Sequence, residues 1–470
     1  TMSGLFSQFA GETVVKDLII GSKDGVTYDE TSLMTVATSS PNPKTEYLYA
    51  GTLVGNSSLY DKHYDVTIEN VKTFVPIKAA TQHILRVGGL AGLARSVIIK
   101  NCHNYGDIEY ALDQSSSYSR VCSIGGLVGY FADDGSHPGE IENCSNNATI
   151  LVSKMGPRDI GGVIGGTGAG DATIKGLVNN GTVKVTRNLG AVSPSGFIGG
   201  VIGRLHHGEV SDCTNNGQVV YDIVQWGSTT KNYICIGGVI GGTEYYASKI
   251  TNCHNRNELY SYLFFVDASN TACPLLMGGV IGKSFGSDKS ISDRIEISDC
   301  SNLGILRVDH PQSARIGGIA GQTRNTVIRN CTNGGEMHLE FSEEQNFWGA
   351  IGGIVAGLDC NVSDPSKELN EVIGCVNTEY GTIYAISQST KPFDRVNDSN
   401  PGGVNAGGIA GVSWNGKIKD CVNNAAVLAE NKSTSDKAAA HAGGIIGFVS
   451  NDAIFEATGS TNNGSVTAKT

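Results

Sequence analysis

The sequence lacks the features that mark several common classes of protein. Charged residues make up 17% of its 470 residues, below the usual share of about 25%. The formal net charge of −11 argues against nucleic acid or an anionic membrane surface as the main partner. No apolar run approaches the roughly 18 residues that span a bilayer, and no basic-then-apolar leader opens the chain. We therefore expect no membrane-spanning segment, and a mature fragment from which any signal or lipid anchor is missing.

Signals for helices, metal sites and catalysis are also scarce. No stretch shows a sustained helical period with caps, and neither a C-x-x-C pair nor an H-E-x-x-H motif occurs. The stretch GKSFG at 282–286 fits a nucleophile pattern, but it lacks the strand–turn–helix context that this pattern needs. No carboxylate is kept at one position through the series of repeats. We therefore predict no catalytic residue, no metal and no cofactor.

What the chain has instead is glycine and internal repetition. Glycine accounts for 63 of the 470 residues, nearly twice the usual frequency of about 7%. A motif of the form GGLAG or GGVIG occurs nine times between Gly88 and Gly443, and GGIVAG at 352–357 is a tenth, altered copy. Most of its first glycines are 35 to 41 residues apart, and one gap is 55 residues. A fixed period of this length is typical of solenoids and propellers.

A second motif follows each glycine motif. The segment NCHNYGDI at 101–108 returns as NCSNNATI at 143–150 and as DCTNNGQV at 212–219. The residue before the cysteine position is always Asn, Asp or Gly, which tolerate the left-handed backbone of a tight bend. Two places after it stands an asparagine in every copy, and these are Asn104, Asn146, Asn179, Asn215, Asn255, Asn302, Asn333, Asn377, Asn423 and Asn462. The pattern predicts a strand, a tight turn and another strand.

These two motifs predict the fold. Parallel coils stacked about 4.8 Å apart place each repeat position above its counterpart, so the asparagine amides can form a ladder. We expect an all-β parallel β-helix or β-solenoid of about twelve coils with a period of about 38 residues, and the crossover rule favours a right-handed coil. Residues 1–470 form one repeat domain, with degenerate repeats at 1–87, ten regular repeats at 88–470 and an inserted loop around 385–402.

Cysteine usage favours packing over cross-linking. Eight of the twelve cysteines occupy the repeat position, where Leu177 and Ser460 replace cysteine in two copies. A disulfide partner or a zinc ligand does not tolerate leucine, whereas a small apolar residue in the core does. We therefore predict buried, unpaired ladder cysteines. A disulfide between loops remains an alternative, for example one that involves Cys360.

The two motifs together resemble a known repeat family. GLFS at 4–7 and the ten Gly-Gly-aliphatic-x-Gly copies are similar to GLUG-motif repeats, and the likeness extends over residues 4–466. The resemblance implies a β-solenoid in a secreted or surface-displayed bacterial protein. Such repeats occur in adhesins of gut anaerobes and in non-catalytic parts of immunoglobulin A-cleaving metallopeptidases. The family offers no agreed catalytic residues.

Aromatic residues supply the candidate ligand-binding surface. Trp226, Tyr245, Tyr246, Tyr260 and Tyr262 fall in neighbouring units, so stacked loops can bring them into one patch. Aromatic faces are good platforms for sugars or partner proteins. The alternative is that these side chains only cover the outer layer of the solenoid.

The first functional hypothesis is a non-enzymatic, monomeric protein on the outer cell surface or outside the cell. Its loops would bind a host or dietary glycan, or a surface protein, as in an adhesin. One alternative is a β-helix carbohydrate-active enzyme, either a polysaccharide lyase or a glycoside hydrolase with two carboxylates in one groove. The other is a structural spacer for another domain.

Overall fold

A computed structural model describes most of the chain. The described residues are 2–9, 11–29, 32–37, 47–57, 65–80, 84–111, 122–133, 139–153, 159–168, 170–188, 196–225, 233–244, 246–265, 275–287, 293–309, 311, 313–341, 348–359, 369–388, 403–432 and 439–470. None of them is helical, so none belongs to a helix with the length and apolarity of a membrane span.

The chain forms two compact units. The first contains Thr1–Asn188, Ser195–Val220 and Val239–Gly241, and the second contains Leu189–Pro194, Tyr221–Gly238 and Gly242–Thr470. Each unit consists of six coils, and a coil has five strand positions, which we number in chain order. The count of twelve coils and the all-β parallel solenoid agree with the prediction from the sequence.

The strands at each position recur with every coil. First strands are Met2–Ser3, Tyr47–Gly51, Ile84–Gly88, Cys122–Gly125, Asp159–Gly161 and Gly196–Gly199 in the first unit, and Ile234–Gly237, Leu275–Gly278, Ser313–Gly317, Trp348–Gly352, Gly403–Gly407 and Ala439–Gly443 in the second. Second strands are Phe6–Gln8, Val54–Asn56, Ala91–Arg95, Val128–Ala132, Ile164–Thr167 and Ile202–Leu205, then Ile240–Glu244, Ile281–Phe285, Ala320–Arg324 and Val355–Leu358. Third strands are Thr13–Lys16, Val66–Glu69, Val97–Lys100, Glu140–Glu142, Thr173–Lys175 and Gly208–Ser211, then Ser248–Thr251, Ile295–Ser298, Thr326–Arg329 and Asn370–Ile373. In the last two coils one long strand covers both positions, Ala410–Lys419 and Ile446–Thr458.

The remaining two positions complete each coil. Fourth strands are Ile19–Ile20, Lys72–Thr73, His103–Asn104, Ser145–Asn146, Val178–Asn179 and Thr214–Asn215, then His254–Asn255, Ser301–Asn302, Thr332–Asn333, Val376–Asn377, Val422–Asn423 and Thr461–Asn462. Fifth strands are Met34–Ala37, Ile77–Ala80, Ile108–Ala111, Ile150–Ser153, Val183–Asn188 and Val219–Gln225, then Leu259–Phe265, Leu306–Asp309, Met337–Phe341, Ile383–Ser387, Val427–Asn431 and Val466–Lys469. Strands at the same position of successive coils within a unit pair in parallel, as Gly88 with Gly125 and Asn104 with Asn146 show.

The corner between the third and fourth strands depends on a left-handed residue. In the first unit these residues are Asp17, Asn70, Asn101, Asn143, Gly176 and Asp212, and in the second they are Asn252, Asp299, Asn330, Gly374, Asp420 and Gly459. Their φ angles lie between 52° and 64°, in the region that only Gly, Asn and Asp enter readily. The restriction to these three residue types in the sequence therefore marks the bend, as predicted.

Asparagine side chains form a ladder inside each unit. In the first unit the Nδ2 atoms of Asn104, Asn146 and Asn179 each donate to the Oδ1 atom of the next ladder asparagine, at 2.8 to 3.0 Å. In the second unit five such bonds of 2.7 to 2.9 Å run from Asn255 to Asn462. The predicted asparagine ladder is therefore present in both units.

The glycine motif is coupled to this ladder. A Cβ atom on Gly126, the second glycine of its pair, would lie 2.3 Å from the amide carbon of Asn146 and 2.1 Å from the carbonyl oxygen of Gly162. Any side chain there would displace the asparagine from the ladder. The two motifs therefore keep the same period because the glycine makes room for the amide.

One degenerate coil replaces this glycine–asparagine pair as a whole. Thr52 occupies the position of the second glycine, and Thr73 lies beside Asn104 at the position of the ladder asparagine. The two hydroxyl groups are 2.7 Å apart and form a buried hydrogen bond. Glycine and asparagine are replaced together in this coil because the two side chains share one space.

The ladder cysteines pack in the core with a definite hydrogen-bonding role. All ten described cysteines are buried and form no disulfide with one another; Cys273 and Cys360 lie outside the described residues. The Cys102 thiol contacts the Lys100 carbonyl oxygen at 3.2 Å, and its backbone N–H donates to Cys144 Sγ at 3.3 Å. A serine can make both bonds, as Ser460 does with Thr458 and Cys421. The expectation of a purely apolar filler was therefore incomplete, since the thiol also bonds the backbone.

Candidate functional site: an arginine among tyrosines

The first and second strands of each coil fold back on one another, and we call this pair the arch. Near the bend the two backbones approach closely, since a Cβ atom on Gly88 would lie 2.2 Å from the carbonyl oxygen of Ala91. A Cβ atom on Gly92 would likewise lie 2.9 Å from the carbonyl oxygen of Arg86. Farther from the bend, larger side chains from the two strands face each other. The first strands are therefore covered on both faces.

In the first unit the arch opens into a pocket. It has a volume of about 480 Å³ and is lined by Tyr47, Tyr49, Arg86, Arg95, Tyr130, Ala132, Asp133 and Gly168. This volume lies within the usual range of roughly 300–1,000 Å³ for ligand sites. We call it the Arg86 pocket.

The guanidinium group of Arg86 lies among three tyrosine rings. Its carbon atom is 3.8 Å from the ring centre of Tyr130, 5.5 Å from that of Tyr47 and 5.8 Å from that of Tyr49. The rings of Tyr47 and Tyr49 are nearly parallel, at an angle of 7°, with their centres 5.9 Å apart. Cation–π contacts of this kind attract a guanidinium group to aromatic faces.

The strand register explains this arrangement. Tyr49 pairs with Arg86 on neighbouring first strands, and Tyr130 comes from the second strand of the next coil. In the coil after that, Gly166 takes the position of Tyr130. A Cβ atom on Gly168 would lie 3.5 Å from the Tyr130 ring. The absence of side chains at these two glycines leaves room for the ring and the pocket.

The charge of Arg86 is not neutralised within the part of the chain that the structure describes. Its guanidinium group makes no hydrogen bond or ion pair with any described residue, and its Nε atom is buried. Farther along the arch of the same unit, Arg204 instead pairs with the buried Asp159 at 3.1 Å. Arg86 therefore keeps N–H donors for a ligand, whereas Arg204 directs its own to Asp159.

The second unit has its own cation–aromatic contacts in the arch. Arg315 occupies the strand position that Arg86 has in the first unit, two residues before the first glycine of the motif. Its guanidinium carbon lies 4.7 Å from the ring centre of Trp348 and 4.8 Å from that of Trp414. Burial lowers the pKa of Arg315. Trp348 itself is buried in an apolar cluster, so this arginine packs inside the arch.

The predicted aromatic patch is only partly described. Trp226 and Tyr245 lie outside the described residues, whereas Tyr246 is 45% exposed between the second and third strands. Tyr260 and Tyr262 alternate along the fifth strand Leu259–Phe265, so they share its outer face, where both are half-buried. Partial burial, and then the neighbouring Asp309, raise the pKa of Tyr260. The structure thus brings Tyr260 and Tyr262 together, and their role in binding stays a prediction.

Sequence reasoning missed Tyr47, Tyr49, Arg86 and Tyr130. These side chains lie up to 83 positions apart in the sequence, and none of them occupies a repeated motif position. The available signal was the spacing from the glycine motif, because Tyr49 and Arg86 both stand two residues before its first glycine. Aligning the variable positions coil by coil would have placed them together.

Other candidate chemistry is absent from the described residues. Ser284 of the GKSFG stretch lies in the strand Ile281–Phe285, is buried, and has its hydroxyl 3.0 Å from that of Thr326. The described residues on either side of it form strands and no helix. Among the described residues, no group of three His, Cys, Asp or Glu side chains is placed to hold a metal ion.

Comparison with known proteins gives one match. Residues 121–151 match the family model described as the GLUG motif. No curated protein and no solved structure matches the chain. The matched residues cover most of one coil, from the first strand Cys122–Gly125 to the fifth strand Ile150–Ser153, and the same five strand positions recur in the other coils. One coil of this parallel β-solenoid therefore carries a GLUG motif, within a strand pattern that the other coils repeat.

Proposed function

We propose that this chain is a non-enzymatic bacterial cell-surface protein that binds a host or dietary glycan, as an adhesin does. The single observation that carries the proposal is the Arg86 pocket in the arch of the first unit. The GLUG motif supports the coarser part of it, a repeat protein displayed at the surface. An extracellular or outer-surface location and a monomeric chain belong to the same proposal.

The chemistry of the pocket suits a sugar. Sugar rings present C–H groups that pack on aromatic faces, and hydroxyl groups that need hydrogen-bond partners. Tyr47 is 43% exposed, so part of its ring is open to a ligand. Arg86, Arg95 and Asp133 supply polar groups around the rings. A few polar groups among apolar walls are the usual composition of a small-molecule site.

The fold supports a binding role because it fixes the site before the ligand arrives. Tyr49 and Arg86 lie on paired strands, and Tyr130 lies on the second strand of the next coil. Side chains held on paired strands lose little freedom on binding, which favours affinity. Asp133 is the only carboxylate among the described residues that line the pocket, whereas glycosidases use two. This difference favours binding over hydrolysis.

A glycan-array screen tests the proposal, together with an assay for released reducing sugar and unsaturated uronate. We expect the purified chain to retain at least one glycan class, and the Tyr47→Ala/Tyr49→Ala double variant to lose that signal. Tyr380→Ala serves as the control, because Tyr380 is 73% exposed and belongs to the second unit. Accumulation of product in the sugar assay would show an enzyme and refute the proposal. An array without signal would leave the spacer as the better alternative.

A further inference from the structure

We propose that the Arg86 pocket recognises a sugar that carries a carboxylate, such as a uronic or sialic acid. This inference rests on the proposed glycan-binding function and adds the class of sugar. Its basis is the unused hydrogen-bonding capacity of Arg86, the charge balance of the pocket and the contrast with other arginines of the arch.

The stacking of Arg86 decides which of its atoms can meet a ligand. A guanidinium group has five N–H donors in its plane. The guanidinium carbon lies 3.8 Å over the centre of the Tyr130 ring, and no described residue accepts a hydrogen bond from the group. A carboxylate accepts two parallel N–H bonds from such an edge, with geometry that a hydroxyl group does not match. The tyrosine rings therefore hold Arg86 at the pocket, where its in-plane donors can meet a carboxylate.

The charges around the pocket also favour an acidic ligand. Among the described residues, the pocket is lined by two arginines, Arg86 and Arg95, and one carboxylate, that of Asp133, although the whole chain has a net charge of −11. The simplest explanation for a cationic pocket on an anionic chain is that the pocket prefers an acidic ligand. A neutral sugar would leave the charge of Arg86 uncompensated.

Two arginines of the arch, unlike Arg315, which packs inside it, have a carboxylate partner of their own. Arg204 pairs with Asp159 at 3.1 Å in the first unit, and Arg324 pairs with Asp359 at 3.0 Å in the second unit. Each of these guanidinium groups thus has a carboxylate from its own unit. Arg86 has none among the described residues, so a ligand carboxylate would complete the same pair there.

Calorimetric titration with matched ligands tests the inference. The acidic probes are trigalacturonate, a hyaluronan tetrasaccharide and 3′-sialyllactose. The neutral probes are the methyl ester of trigalacturonate, which keeps the sugar rings and loses the charges, and lactose. The proteins are the unaltered chain, Arg86→Gln, Arg86→Lys and the control Arg329→Gln. The control removes the same charge from a half-exposed side chain on a third strand of the second unit.

We expect at least one acidic probe to bind more tightly than its neutral counterpart. Since a hydrogen bond to a charged group accounts for roughly ten- to a hundredfold in affinity, Arg86→Gln should weaken acidic binding by that factor. Binding of neutral probes should not change. Arg86→Lys should recover only part of the loss, because an ammonium group cannot form the paired bonds. Arg329→Gln should bind as the unaltered chain does, and thermal melting confirms that all variants fold.

The possible failures separate the two proposals. Equal binding of trigalacturonate and its methyl ester, unaffected by Arg86→Gln, would overturn the carboxylate inference and leave glycan binding intact. Binding of neutral glycans alone would have the same meaning. No binding of any probe, together with an array without signal, would overturn both proposals.

Discussion

At the scale of single residues, the ladder asparagine uses its whole hydrogen-bonding capacity. Asn179 Oδ1 accepts from Asn146 Nδ2 and from the backbone N–H of Gly181. Its Nδ2 group donates to the Gly181 carbonyl oxygen and to Asn215 Oδ1. An amide has two donors and two acceptor sites, so no other side chain of this size can replace it. The asparagine persists in every regular repeat for this reason.

The substitution Asn179→Ala tests this explanation, with the adjacent Asn180→Ala as a matched control. Asn180 belongs to an exposed outer row of asparagines and bonds Asn147. Loss of Asn179 leaves buried hydrogen-bonding groups of Asn146 and Asn215 without this partner. Each such group costs about 1–3 kcal/mol of stability. Loss of Asn180 should change the free energy of unfolding by less than about 0.5 kcal/mol. Urea unfolding measures both free energies. Equal effects would show that the inner ladder stabilises the fold no more than the outer row does.

At the scale of structural elements, the glycine pair sets how closely the arch and the ladder approach. A Cβ atom on Gly318 would lie 2.0 Å from the carbonyl oxygen of Gly353 and 2.5 Å from the amide carbon of Asn333. Backbone atoms cannot move aside as a flexible side chain can. By contrast, a Cβ atom on Gly357 would meet its nearest neighbour, Arg315 Cδ, at 3.4 Å, an ordinary contact distance.

We therefore predict opposite outcomes for two glycine-to-alanine changes in the second unit. Gly318→Ala should destabilise the chain by about 3 kcal/mol or more, because overpacking moves the backbone and disturbs the asparagine ladder. Gly357→Ala, in the strand Val355–Leu358, should stay within about 1 kcal/mol. Thermal melting of the two variants measures this difference in stability. Similar melting temperatures would mean that the coil spacing adapts and that the close approach is not required.

The repeated features of the coils could be predicted from the sequence. The bend at Asn143, the amide of Asn146 and the glycine Gly126 recur in coil after coil, because stacking imposes the same geometry each time. Repetition therefore reveals them. The Arg86 pocket occurs at variable positions, and its residues meet only through the register between neighbouring coils. A single sequence shows where these residues stand in a repeat, but not how the arch closes over them.

At the scale of the whole molecule, the cysteines link the fold to the proposed location. Proteins outside the cell usually have their cysteines in disulfides, yet the ten described cysteines form none with one another. Stacked coils lie about 4.8 Å apart, a separation at which a disulfide between neighbouring coils is geometrically allowed. Their protection must therefore come from burial, which excludes oxidants from the sulfur atoms.

This reasoning predicts how the thiols react in the folded chain. A thiol reagent attacks the thiolate form and needs access to the sulfur atom. In the native protein, the ten described cysteines should stay unreactive towards Ellman's reagent over hours. Only Cys273 and Cys360, which lie outside the described residues, are left without a prediction. After unfolding in guanidinium chloride without reductant, at least ten thiols should titrate. Rapid reaction of more than two thiols before unfolding would show that the coils open in solution, and then burial could not protect the ladder at an oxidising cell surface.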